Sequence, residues 1–168
     1  MSFPTLNDLI LAYQNEKSTK RLLPYALHLI DYFLDIISER TEHVKALNKS
    51  IVKNIYELEI ERVKFFVKEY IQTRLKKMSM NLYVDLSLLS GGELALYEKY
   101  IDLLKKRDVY VTKQKFHKVH EFVGFYCCTD ISGAVIDGEL LEMFKGDFFV
   151  APLDDVMDFL KRNEIILF

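Results

Sequence analysis

Four groupings of side chains in this sequence are of types that do chemistry. His117 and His120 are the nearest approach to a metal-ligand pair. No further thiolate or carboxylate follows at a recognisable ligand spacing, and two histidines in a polar stretch read better as solvated. Cys127 and Cys128 are adjacent in a strand-like run, so their side chains point to opposite faces, which disfavours a disulfide between them. They read as small core residues in a reducing compartment. Asp154 and Asp155 could serve as paired carboxylates, but their place at the start of a helix makes capping and macrodipole stabilisation the better account. Arg62, Lys64, Lys68, Arg74, Lys76 and Lys77 share one long helix with Glu69, and could contact phosphates. The competing account is a solvated or protein-contacting face with pairs such as Glu59–Arg62 on neighbouring turns.

None of these groupings amounts to a catalyst. The sequence has no glycine-rich phosphate loop, no Walker lysine, no H-E-x-x-H and no serine elbow, and nothing meets the geometric requirements of an active site. The expectation is a non-enzymatic protein with no catalytic, cofactor-binding or metal-binding residues.

Composition points to assembly. Half of the 168 residues are hydrophobic and 13% aromatic, with 29% charged. That is a folded chain carrying more bulky apolar side chains than so small a body can bury alone, as expected of one that packs against others. No apolar run of transmembrane length and no signal peptide is visible, which implies an intracellular protein away from membranes. The net charge of −2 hides a polarity: residues 121–168 hold 3 Lys and Arg against 10 Asp and Glu, a net −7, and the remainder is +5.

The elements that must position these residues follow from periodicity. Leu6, Leu9, Ile10 and Tyr13 predict a first helix to about Glu16, opened by Pro4. A second begins at Pro24, with Ala26, Leu29, Ile30, Phe33, Ile36 and Ile37 as its stripe. The longest runs from about Ser50 to Met78 on the seam Val52, Tyr56, Ile60, Val63, Val67, Ile71 and Leu75, with Ile51, Ile55, Leu58 and Phe66 as a second seam. Ser90 and Glu93 form a capping box that starts a fourth helix, ending near Lys105-Lys106-Arg107. Residues 108–118 read as a linker. Beyond it come strands at Phe122–Cys128, Val135-Ile136 before an Asp137-Gly138 turn, Asp147–Val150 and Ile165–Phe168, with a helix at Asp154–Lys161. The fold class is mainly α with a small β domain: a helical, bundle-like domain over 1–107 and a β-rich domain over 119–168.

Several of these segments, in order, resemble the Sld-five type subunits of the GINS complex of eukaryotic DNA replication. Ala12-Tyr13-Gln14-Asn15-Glu16-Lys17 leading to Leu22-Leu23-Pro24-Tyr25 is similar to the family's aromatic-x-Asn-Glu-Lys start. Leu58-Glu59-Ile60-Glu61-Arg62-Val63-Lys64-Phe65, continuing to Tyr70-Ile71 and Arg74-Leu75-x-Lys77, resembles its arginine-bearing helix. Leu89-Ser90-x-x-Glu93-Leu94 and Gly146-Asp147-Phe148-Phe149 with Ile165-Ile166-Leu167 complete the match, which spans nearly the whole chain. A departure is Lys77-Met78-Ser79, where the family continues Lys-Ile-Glu.

The resemblance implies a helical A-type domain followed by a small B-type β domain. It implies a nuclear hetero-oligomer with three related subunits, of the Psf-one, Psf-two and Psf-three types, that holds the MCM helicase together with Cdc-forty-five; direct DNA contact is left open. Candidate subunit-interface residues are Arg62, Phe65, Phe66, Tyr70 and Arg74 on the long helix and Tyr97 and Tyr100 on the fourth, each weighed against burial in the chain's own core. Rival readings are another GINS subunit of the same domain order, Psf-one-like or archaeal, and a nucleic-acid-binding helical adaptor.

Overall fold

The structure, a computed structural model, describes residues 3–47, 51–81, 84–107 and 121–168. The expected linker at 108–118 and both His117 and His120 lie outside the described residues. Helix α1 (Leu6–Ser18) starts at a capping box that the sequence reading overlooked: Thr5 accepts from the Asp8 amide, and the Asp8 carboxylate accepts from the Thr5 amide at 2.7 Å. Helix α2 spans Leu27–Ala46 and begins three residues after Pro24. The segment between is held in non-helical conformation by contacts to α3 that local spacing does not encode. Helix α3 (Ile51–Met80) has 30 residues, about 45 Å of helix. Helix α4 (Gly91–Lys106) starts at the expected Ser90–Glu93 box.

Helices α1, α2 and α3 share a core of Leu9, Ile30, Phe33, Val67 and Tyr70. On α3 the buried positions Ile60, Val67, Tyr70, Arg74 and Met78 recur at helical spacing along one side. Helix α4 is attached differently: its one fully buried side chain is that of Glu93.

The second module contains strands β1 (Phe122–Cys127), β2 (Ile131–Ile136), β3 (Glu139–Met143) and β4 (Phe148–Pro152), helix α5 (Leu153–Lys161) and strand β5 (Ile165–Leu167). All pairings are antiparallel, in a β4-β1-β5 sheet and a β2-β3 hairpin. Asp137 and Gly138 turn the hairpin with φ of 51° and 80°, the left-handed pair that an Asp-Gly turn adopts. Strand β3 was missed because Glu139, Leu140 and Glu142 face outward and blur the alternation. Cys127 is buried and Cys128 half-buried, and both thiols are free; burial pushes the Cys127 thiol up from its ordinary value. Asp154 and Asp155 lie inside the first turn of α5, whose N-cap is Pro152. Their carboxylates bind other elements: Asp154 pairs with Arg21 at 3.0 Å, and Asp155 accepts from the Asp137 amide at 2.9 Å.

The two modules are joined at the C-terminal end of α1. The Asn15 side chain accepts a hydrogen bond from the Leu167 amide at 2.9 Å. The Glu121 carboxylate accepts from the amides of Lys20 and Arg21 at 2.6 and 3.0 Å, and Leu23 inserts into the β module's core. A buried amide without its acceptor costs about 1–3 kcal/mol. Asn15→Ala is therefore expected to lower unfolding stability by about that amount, read by urea denaturation, whereas Asn7→Ala on the exposed side of α1 should change it by less than about 0.5 kcal/mol.

Candidate protein interface

The long helix carries two opposed faces. Its inner face ends in an ionic centre around Arg74, whose side chain is 0% exposed. A guanidinium has five N–H donors, and burying it requires an acceptor for each. All five are met. Nε and Nη2 donate to the two carboxylate oxygens of Glu93 at 2.8 and 3.1 Å, Nη1 donates to Glu16 at 3.0 Å and to the Leu23 carbonyl at 2.6 Å, and Nη2 also donates to the Leu88 carbonyl at 2.9 Å. The rings of Tyr25 and Tyr70 lie 5.1 and 5.7 Å from the guanidinium carbon.

Lys77, one turn on, donates to Glu16 Oε1 at 2.6 Å, to Thr19 at 2.9 Å, to the Arg21 carbonyl at 2.8 Å and to the Glu16 carbonyl. Two cations thus meet two carboxylates, and the centre is neutral. Burial opposes the charge on Arg74, but the Glu93 hydrogen bonds and the nearby anions outweigh it and raise its pKa above the ordinary arginine value. For Lys77 burial wins over the pull of Glu16, and its pKa is lowered from 10.5. Burial also pushes Tyr70 up to about 12, while its hydroxyl accepts from the Ala26 amide at 3.1 Å.

This centre divides the residues singled out from sequence. Tyr70 and Arg74 are sealed inside this chain and are not presented to a partner. Phe66 is half-buried, its ring 6.3 Å from that of Tyr13 on α1. Tyr97 and Tyr100 are half-buried on α4, the Tyr100 hydroxyl reaching the Ser79 carbonyl at 3.4 Å. Arg62 and Phe65 are exposed. The basic run is divided in the same way. Arg74 and Lys77 turn inward, Lys64 pairs with Glu61 at 3.0 Å, and Arg62, Lys68 and Lys76 face out. Glu59 approaches Arg40 of α2 at 3.8 Å in place of the expected Arg62. Glu16 is the important residue that spacing did not single out: it lies 58 positions from Arg74, and its only sequence signal was the resemblance of the Asn15-Glu16-Lys17 segment.

The outer face is apolar. Ile51, Ile55, Leu58 and Phe65, 78%, 53%, 70% and 54% exposed, follow one another with Arg62 between the last two. Their steps of four, three, four and three residues place them in one line along α3, roughly opposite the buried row. Val52 and Tyr56, also partly exposed, continue the line of the buried row toward the start of α3, with Tyr56 against His43 of α2, and Leu96 and Leu103 on α4 are exposed like the stripe. Leucine, isoleucine and phenylalanine in register on a helix at coiled-coil spacing form a surface suited to another helix. Among the described residues no three His, Cys, Asp or Glu side chains are grouped to hold a metal ion, and no helix is long and apolar enough to cross a membrane.

No protein-family model matches the chain. It is 28% identical over 174 aligned residues to the DNA replication complex GINS protein SLD5 of Dictyostelium discoideum, covering 97% of this chain and 79% of that protein. A second relative, the protein of the same name from Kluyveromyces lactis, is 34% identical over 83 residues, covering 42% of this chain and 28% of its own length.

Removing Arg74 leaves two buried carboxylates facing only Lys77. Arg74→Met is expected to cost about 3–5 kcal/mol in chemical denaturation, and adding Glu16→Gln and Glu93→Gln should recover part of the loss. The Tyr70 shift gives a pH signature. Its folded value of about 12 exceeds the ordinary 10.0, so its contribution is complete below pH 10 and is lost as pH rises toward 12. Lys77 acts in the opposite sense, with stability increasing as pH rises through its lowered value toward 10.5. Denaturation curves between pH 10 and 12 should show a loss of stability in the wild type that is shallower in Tyr70→Phe.

Proposed function

We propose that this chain, similar over 97% of its length to an SLD5 protein, belongs to that family and is a non-catalytic scaffold subunit of a DNA replication complex. The relatives are named as GINS proteins. In this reading the chain joins three related subunits, of the Psf-one, Psf-two and Psf-three types, in a nuclear heterotetramer. That assembly supports the MCM helicase together with Cdc-forty-five as replication starts and forks progress.

The observation that carries the reading is the exposed stripe Ile51-Ile55-Leu58-Phe65 on a helix whose other face is locked by Arg74. Leaving four large apolar side chains of one line in water forgoes roughly 1.5–3 kcal/mol each relative to full burial. A subunit that buries them against a partner helix recovers that energy. A scaffold also needs its contact face held in one conformation, and the neutral centre further along the same helix supports that by fixing the helix's rotation.

Expressed alone, the chain should associate non-specifically or be poorly soluble, and co-expression with three candidate partner subunits should yield one soluble species of equal stoichiometry on gel filtration. Leu58→Asp should abolish or greatly reduce that species while leaving the chain's own melting temperature within a few degrees, because residue 58 touches no internal core. Lys68→Asp, exposed on the same helix, should assemble normally. A stable monomer with no tendency to bind those chains would refute the scaffold reading.

A further inference from the structure

We infer that the cleft between α1, α3 and the start of β1 binds an extended acidic, apolar-anchored segment of a partner protein. The cleft lies beyond the apolar stripe on α3, and only its test, which uses the assembled chain, rests on the scaffold reading. Its volume is about 1060 Å³, at the upper end of small-molecule pockets.

Its charges are of two kinds, spent and unspent. Arg21 and Lys77 line the cleft, but Arg21 is paired with Asp154 and Lys77 with Glu16. The Glu121 carboxylate is taken up by the amides of Lys20 and Arg21. The Lys17 ammonium rests 5.7 Å from the centre of the Tyr13 ring, an aromatic face and not an anion. Among the described residues the ammoniums of Lys20 and Lys76 make no ion pair. Three ammoniums therefore face two carboxylates, Glu69 and the amide-bound but still charged Glu121, a net excess of one positive charge in a chain whose net charge is −2. That excess in a concave wall attracts an anionic group and is complementary to carboxylates of a bound chain.

The rim supplies the other half of the recognition. Met80 and Phe122 both line the cleft and are 73% and 65% exposed. Phe122 is also the first outward residue of the β4-β1-β5 sheet, whose outer face continues through Tyr126, Phe148 and Val150. The Phe148 ring comes close over Gly124, where a Cβ would stand 3.0 Å from it, so the ring covers that position of the face. The surface thus grades from cationic to apolar across one residue, Phe122. An occupant matching it carries carboxylates followed by leucine- or phenylalanine-type anchors.

A nucleic acid also combines anionic and stacking groups, and the distribution of charge argues against it. Its phosphates would run on over a module holding 3 cationic against 10 acidic residues, whereas single-strand grooves track the backbone with continuous positive charge.

The test is fluorescence anisotropy with the full chain in its co-purified assembly. The probe is a short labelled peptide with a run of aspartates followed by leucine and phenylalanine, compared with its asparagine counterpart and with labelled oligo-dT. Binding of the aspartate peptide, weakened roughly tenfold by K20E/K76E, by Phe122→Ser and by asparagine in the peptide, supports the site. These positions are exposed, so the variants should elute as the unmodified assembly does. Absence of peptide binding, binding unchanged in K20E/K76E, or oligo-dT that binds as tightly and displaces the peptide would overturn it.

Discussion

Burial of one guanidinium sets the terms for the rest of the structure. Arg74 can be removed from water only if five acceptors and compensating negative charge surround it, and no single element supplies them. Glu16 comes from α1, Leu23 from the segment between α1 and α2, Leu88 from the turn before α4, and Glu93 from the first turn of α4. Each must be in place for the others to be tolerated. The centre therefore specifies how four pieces of chain meet, which apolar packing alone leaves loose because Leu and Ile accept many arrangements. Helix α4 shows the dependence most clearly, since its one fully buried side chain is the carboxylate that Arg74 requires.

The centre also accounts for the residue types in the short segments that resemble Sld-five type subunits. Asn15 and Glu16 are neighbours in sequence yet serve different partners: Asn15 holds the end of β5, and Glu16 holds Arg74 and Lys77. Glu93 does two tasks with one carboxylate, accepting the Ser90 amide at 3.0 Å to start α4 and gripping Arg74. A resemblance spread over separate short segments becomes a single physical object once the chain is folded.

The legibility of the fold in the sequence follows the range of the forces involved. The Ser90–Glu93 cap, the Asp137-Gly138 turn and the long seam of α3 are local in origin and could be read from spacing. The start of α2 could not, because residues 21–26 are fixed by Arg74, Lys77 and Tyr70 from a helix some fifty positions away. The same distance explains the mixed fate of the interface candidates. Phe65, Arg62, Tyr70 and Arg74 read alike as interface candidates from sequence, and only the arrival of Glu16 and Glu93 turns Arg74 and Tyr70 inward while Phe65 and Arg62 stay exposed. A charged residue among apolar neighbours gives no local sign of whether its counter-ions lie in water or in another helix.

The division of α3 into a locked face and an open face ties these points to function. A helix of about 45 Å that is apolar on two sides has little reason to keep one orientation if both sides are equally able to collapse inward. The buried charges break that symmetry: placing Arg74 outward would strand Glu16 and Glu93 in the core, and placing Leu58 inward would require exactly that rotation. The ionic centre thus acts as a register for the helix, and the apolar stripe stays outward because the alternative would leave two carboxylates buried without a cation. Exposure of the stripe is then a consequence of internal electrostatics, available to a partner helix before the partner arrives.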